Sequence, residues 1–122
     1  AVFGRLEANG QVFLVNPAGV LFGSTARVDV GGLVASSLAL SDADFLAGRH
    51  RFRGDGAAGE VRNLGRIDAA DGGYVAFLAP RVANPGEIRA PQGDIVLAAG
   101  ESASLDFAGD RLLGFTLDQG TL

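Results

Sequence analysis

The chain has no cysteine, no methionine and no tryptophan, and all ten of its basic residues are arginine, so lysine is missing too. Without cysteine there is no disulfide framework and no thiolate metal site. Asp71-Gly-Gly73 reads as a turn, because no helix and no P-loop lysine follow it to make a phosphate cradle. A single histidine, His50, leaves His-based metal sites and catalytic triads without their parts. Calcium-binding nonapeptide repeats are absent as well. No cofactor or metal is therefore expected. The net charge of −4 argues against a sequence-wide attraction to nucleic acid or anionic lipid. No apolar run approaches the ~20 residues that span a bilayer, so stable membrane insertion is not expected. The chain also lacks an initiator methionine and a signal peptide. It opens inside an apolar pattern, Ala1-Val2-Phe3, and is expected to be cut from something longer.

What is abundant is glycine. There are 19 glycines in 122 residues, well above the ~7% norm, set among Val, Leu, Ile and Phe. That mixture implies short strands joined by many tight turns. The length allows one domain, residues 1–122, with a real core.

A repeat organises the chain. Asn63-Leu-Gly-Arg-Ile-Asp-Ala69 matches Asn84-Pro-Gly-Glu-Ile-Arg-Ala90, with Asn63, Gly65, Asn84 and Gly86 marking a recurrent turn. After a second turn, Gly73-Tyr-Val-Ala-Phe-Leu-Ala79 matches Gly93-Asp-Ile-Val-Leu-Ala-Ala99. Gly4-Arg-Leu-Glu-Ala8 with Gly10-Gln-Val-Phe-Leu14 is a third copy, Val28-Asp-Val30 with Leu33-Val-Ala35 a fourth, and Leu105-Asp-Phe107 a looser fifth. A unit of ~20 residues with two strands and no helix cannot bury its own apolar face, so it must stack on like units. The expected fold is all-β, a parallel β-helix. Leu6, Val28, Ile67, Ile88 and Leu105 would form one inward ladder, with Ala8, Val30, Ala69, Ala90 and Phe107 beside it. Val12, Leu33, Val75 and Ile95 would form another. Arg5, Arg27, Arg66 and Glu87, with Glu7, Asp29, Asp68 and Arg89, would face water. A β-sandwich also has short strands, but not this in-register repetition. Helical segments long enough for a doubly wound fold are missing.

The repeat breaks between Val28 and Ile67, and the surplus falls in residues 38–60, expected to lie outside the coils. Ser41-Asp-Ala-Asp44, Phe45-Leu46 and Gly48 suggest one or two turns of helix whose Phe45 and Leu46 cover the solenoid's side. Arg49-His-Arg-Phe-Arg53 alternates and Asp55-Gly56 is a turn signal, so a hairpin is expected there. The arginine strip reads as a solvated face balanced by Asp42, Asp44, Asp55 and Glu60, with docking to an acidic partner as the competing reading. The C-terminal run Leu112-Leu-Gly-Phe-Thr-Leu117 has strand character and fits either stacking or covering an end.

Asp68, Asp71, Asp94, Asp106 and Asp110 are the acids an enzymatic β-helix would draw on. Each sits at or beside a turn, where Asp bonds its own backbone, and no catalytic residue is expected.

Asn9-Gly-Gln-Val-Phe-Leu-Val-Asn-Pro-Ala-Gly-Val-Leu-Phe-Gly23, Leu40-Ser-Asp-Ala-Asp-Phe-Leu-Ala-Gly48 with Arg51-Phe52, and Asn63-x-Gly-x-Ile67 occur in an order that resembles the secretion domain of filamentous haemagglutinin-type, two-partner secretion exoproteins. The resemblance implies a right-handed parallel β-helix with an extra-helical part. It implies a secretion-targeting and folding-nucleation domain of a large adhesin-like exoprotein, recognised by an outer-membrane transporter with periplasmic POTRA domains. The product is secreted from, or displayed on, a Gram-negative cell, and the domain is not an enzyme. The family's second Asn-Pro motif, Asn-Pro-Asn-Gly-Ile/Val, falls on Asn16, Pro17, Ala18, Gly19 and Val20, with alanine in place of its second asparagine. The family's first Asn-Pro motif and its first capping strands are not in this sequence. The competing function is a carbohydrate-active or glycan-binding β-helix module. Because solenoids need capped ends, end-to-end association of the chain is expected.

Overall fold

The computed structural model describes residues 4–38, 50–53, 59–100, 102–108 and 111–118. Four turns of chain stack on one another. The first is β1 (Arg5–Glu7), β2 (Gln11–Val15) and β3 (Val20–Phe22), each an apolar-alternating segment cut off by Gly, Asn or Pro. The second is β4 (Arg27–Ser36), which bends round a corner without a break, and β6 (Glu60–Asn63). The third is β7 (Arg66–Ala79) and β8 (Arg81–Ala83), and the fourth is β9 (Glu87–Arg89) and β10 (Asp94–Ala99). Between and after these coils run β5 (His50–Arg53), β11 (Ser102–Ala108) and β12 (Arg111–Asp118).

Every coil-to-coil pairing is parallel, and the register carries the repeat into space. On the first face Leu6, Val28, Ile67 and Ile88 align, as do Ala8's neighbours Glu7, Asp29, Asp68 and Arg89. On the second face Val12, Leu33, Val75 and Ile95 align, and so do Leu14, Ala35, Phe77 and Leu97. The third face stacks β3 on β6 on β8, with Val20 beside Val61 beside Val82. The result is a parallel β-helix. Its interior holds Phe22, Val28, Leu33, Val61, Ile67, Val75 and Phe77, all at most 1% exposed. Phe22 and Phe77 stack across it with ring centroids 5.9 Å apart. Each such side chain contributes roughly 1.5–3 kcal/mol relative to exposure.

Two expectations need correction. Leu105 is buried, but it is not a rung of the inward ladder: β11 pairs antiparallel with both β12 and β5 and forms a separate sheet. The short connection from β11 to β12 allows only antiparallel pairing, since a parallel return needs a long crossover. Nor does β5 form a local hairpin among the described residues, because its partner there is β11, with Phe52 opposite Ala103. The helix at residues 41–48 and the Asp55-Gly56 turn lie outside the described residues. Ile95 takes its expected place in the second ladder, yet it is 46% exposed, because β10 is the last rung.

The antiparallel sheet has a clear job. Phe52 and Leu105 pack on Val34, Tyr74, Ala76, Leu78, Val96 and Ala98, the outward residues of the second face, and make a second core. The middle of that face is therefore buried on both sides: Tyr74, Val75, Ala76, Phe77, Leu78 and Ala79 are all fully buried. The C-terminal run, as β12, pairs antiparallel with β11 and not with the coils. It lies in the outer sheet beside β11 and near β7.

Tyr74 shows how tightly the two layers fit. Its ring lies against Gly32 of the neighbouring coil, where an added Cβ would come within 2.5 Å of the Tyr74 Cε1. The Gly32→Ala substitution should therefore destabilise the domain by about 1–3 kcal/mol through overpacking. At Gly10, by contrast, an added Cβ meets nothing within 4 Å. Urea denaturation of Gly10→Ala should show a change within about 0.5 kcal/mol, or a small gain from the stiffer unfolded chain.

Candidate functional site: the Asn-Pro corner and the foot of the excursion

The corner at residues 16–19 joins β2 to β3. Asn16 shapes it three ways. Its N–H donates to the Ser36 carbonyl of the next coil at 2.9 Å, and its carbonyl accepts from Gly19 N–H at 2.8 Å. Its Oδ1 accepts from Ala18 N–H at 3.0 Å, an Asx-type bond. Pro17 presets φ at the second turn position. Gly19 has φ +110°, which a side chain resists, and Val20 then turns inward as the first residue of β3. Asn16, Pro17 and Ala18 are exposed.

In the second coil, residues 37 and 59, far apart in sequence, meet beside this corner. Ser37 Oγ lies 3.4 Å from the Gly59 carbonyl, and both residues are buried. Ser36, fully buried, holds the exit: its Oγ accepts from Leu38 N–H and donates to the Leu38 carbonyl, both at 2.8 Å. The Asn-Pro corner is stacked directly on this foot. A Cβ at Gly59 would lie 2.6 Å from the Pro17 carbonyl oxygen and 2.8 Å from Ser37 Cβ. A Cβ at Gly19 would lie 2.6 Å from the Glu60 carbonyl oxygen. Asn16, Pro17, Gly19 and Val20 are thus brought together with Ser36, Ser37 and Gly59. Sequence reading did not single out these three. The signal for Gly59 was its place at the close of the surplus segment.

The other turn residues form their own stack between the third and first faces. Asn63 is fully buried. Its Oδ1 accepts from Gly65 N–H at 3.0 Å, while its Nδ2 donates to Asn84 Oδ1 at 2.9 Å and to the Glu87 carbonyl at 3.2 Å. Gly86 N–H donates to the Asn63 carbonyl at 2.9 Å, and the Gly65 carbonyl occupies the space a Gly86 side chain would need. Asn63, Gly65, Asn84 and Gly86 are contiguous, and they lie apart from the Asn-Pro corner.

Three of the acids on the first face are ion-paired. Arg5 pairs with Glu7 at 3.3 Å, Arg66 with Asp68 at 3.0 Å and Arg89 with Glu87 at 2.7 Å, each within one rung. Asp71 and Asp94 are exposed at the corner between the first and second faces. A groove of about 450 Å³ runs along that corner past Glu7, Asn9, Asp29, Gly31 and Asp68. Among the described residues, no group of three or more His, Cys, Asp or Glu side chains is placed to hold a metal ion.

The buried asparagine offers a direct check. Asn63→Asp removes both Nδ2 donors and sets a carboxylate against the Asn84 and Glu87 oxygens, so stability should fall by at least ~2 kcal/mol. The midpoint of chemical denaturation at neutral pH measures it, and an unchanged midpoint would contradict this account of the stack.

Comparison with known proteins places this geometry. The family model of the TPS secretion domain matches residues 1–118. Among solved structures, the secretion domain of HMW1 from Haemophilus influenzae superposes with a TM-score of 0.81 at 34% identity, covering 88% of this chain and 29% of that one. Among curated proteins, a heme/hemopexin-binding protein of Haemophilus influenzae is 34% identical over 109 residues, which is 80% of this chain and 12% of the relative. The chain thus spans a small part of the proteins it matches. A parallel β-helix with a covering antiparallel sheet and an Asn-Pro corner, matched over residues 1–118, belongs to the family of TPS secretion domains.

Proposed function

We propose that this domain is the export address of a larger exoprotein. It is recognised by a dedicated outer-membrane transporter, in whose periplasmic POTRA domains we place the first contact, and its coils nucleate the folding of the chain that follows. The family match over residues 1–118, together with the β-helix that it implies, carries the reading. Proteins of this family cross the outer membrane of Gram-negative bacteria and are released or held at the cell surface. The activity of the whole exoprotein is assigned to sequence beyond this domain. We assign the domain itself no catalysis: Arg66 and Arg5 already engage Asp68 and Glu7, and Asp71 and Asp94 are exposed at a corner.

At residue level, the Asn-Pro corner is proposed to act by fixing the foot of the excursion. The Asn16 side chain is used on Ala18 N–H, and the corner's backbone is used on Ser36 and against Gly59. With alanine at position 18 the corner offers one asparagine where the family motif has two.

Expression of the full exoprotein with its transporter tests this reading. Asn16→Asp/Pro17→Ala should lower the amount released into the medium several-fold, and unchanged release would remove the corner from the export signal. Gly59→Ala leaves every exposed corner side chain in place, yet it should impair release to a similar degree because its Cβ presses on the Pro17 carbonyl and on Ser37 from below. Normal release of that variant, with the corner variant defective, would assign the corner to direct recognition. In the isolated domain, Asn16→Ala should cost about 1 kcal/mol, read from thermal or urea unfolding. A polysaccharide-degradation screen should show no turnover by the wild-type chain. Turnover that disappears in Asp71→Asn/Asp94→Asn would overturn the non-catalytic assignment.

A further inference from the structure

Among the described residues the inner and outer cores share no member. Cores built from separate residues can open separately, each with its own free energy. The outer one gathers parts from distant stretches of chain: Leu38, Phe52 in β5 and Leu105 in β11, all buried against the second face. Strand β5 has one pairing partner among the described residues, β11, with Phe52 opposite Ala103 and His50 opposite Leu105. The pairing partners of β11 are β5 and β12, and no coil strand is among them. Side-chain packing, with Leu105 at its centre, therefore holds β11 and β5 on the wall.

Two short chains of bonds run from this outer core to the Asn-Pro corner. The first starts at Leu38, which is 1% exposed. Its N–H and carbonyl are both gripped by Ser36 Oγ at 2.8 Å, and the Ser36 carbonyl in turn accepts Asn16 N–H at 2.9 Å. The second starts at Leu78, fully buried in the outer core, whose carbonyl accepts Ser37 N–H at 3.0 Å. Ser37 Oγ reaches the Gly59 carbonyl, and Gly59 lies against the Pro17 carbonyl oxygen. Neither chain passes through a side chain of the inner core.

We infer that β11 is a strap whose closing sets the Asn-Pro corner. With Leu105 seated, Leu38 is held in the outer core, and Ser36 and Ser37 fix the corner from beneath. With β11 lifted, Leu38 is released and the corner loosens, while the coils stay stacked on their own inner ladders. The outer sheet is the element with two states, and the corner reads which one is present. Coupling of this kind is reciprocal, so loosening the corner loosens the strap by the same free energy. The coupling stands on contacts within this chain. Its use in export rests on the reading above: the corner then reports that the chain has been made and folded as far as β11.

Amide hydrogen exchange of the exoprotein that carries this domain tests it without a transporter, read at single residues by fragmentation mass spectrometry. Leu105→Ala should speed exchange at Leu38 N–H and at Gly19 N–H, which closes the corner on the Asn16 carbonyl, by at least about fivefold. Arg66 and Glu87 N–H, which donate to the Ala26 and Gly65 carbonyls of neighbouring coils, should exchange at the wild-type rate. Leu105→Val should give the same pattern at smaller amplitude, which keeps the test open if the alanine variant does not fold. Ser36→Ala should speed Gly19 exchange by itself, and adding Leu105→Ala to it should do less than in the wild-type background. Asn16→Ala should in turn speed exchange in β5. An unmoved Gly19 in both Leu105 variants would overturn the inference. So would equal acceleration at Arg66 and Glu87 in Leu105→Val, which would make the two cores one unit. Full additivity of the Ser36 and Leu105 changes, or a β5 indifferent to Asn16→Ala, would overturn it as well.

Discussion

Successive coils pass so close at two corners that no side chain fits between them. At one corner Gly10, Gly31, Gly73 and Gly93 lie in a column, and a Cβ on Gly73 or Gly93 would overlap the carbonyl of the glycine in the coil before it. At the other, Gly65 and Gly86 stand in the same relation, and Gly65 itself lies under the Gly23 and Ala26 carbonyls. The contact fixes the register of everything else. Once the corners are in van der Waals contact, Leu6, Val28, Ile67 and Ile88 have only one way to align, and the charged residues flanking them must point outward. A slip of one residue would turn the ladder to water and the arginines inward.

This backbone proximity makes polar groups a second requirement. Where the chain must turn without a side chain to spare, side-chain amides and hydroxyls satisfy the freed backbone groups: Asn16 at one corner, Asn63 at another, Ser36 where the excursion departs. Ser36 and Asn63 are fully buried yet hydrogen-bonded, as buried polar atoms need to be. At the Asn-Pro corner one residue serves both needs: Asn16 closes the turn on Ala18 and Gly19 N–H and donates its own N–H to the Ser36 carbonyl of the next coil.

Much of the coil was legible because each rung repeats its neighbours. Ile67 and Ile88, or Val75 and Ile95, can be matched by eye, and the register follows from the match. In the sequence, residues 38–60 stand out as surplus length between two copies of the repeat. The outer sheet was not legible, and Leu105 shows why: its apolar-x-apolar pattern equals that of a coil strand, and nothing local distinguishes parallel from antiparallel pairing. The available clue lay elsewhere, in the uninterrupted apolar run Tyr74-Val-Ala-Phe-Leu-Ala79. A solenoid wall with one wet face alternates; a run without polar residues marks a strand buried on both sides. Ser37 carried no sequence signal, and Gly59 only its place at the close of the surplus segment, for a different reason. Their importance comes from meeting each other and Pro17, residues distant in sequence.

The order in which the two cores can close follows from where their parts lie along the chain. The inner core joins rungs about one coil apart, so it assembles from neighbours. The outer core needs Phe52 and Tyr74 to wait for Leu105, which lies well beyond both in the chain. Contacts of such long sequence separation form late, because the intervening loop must first be closed. During synthesis and transit the outer surface of the second face therefore stays uncovered until β11 arrives. A chain shortened before residue 105 would keep a stacked but one-sided wall, with Val34, Ala76 and Leu78 open to whatever meets them first.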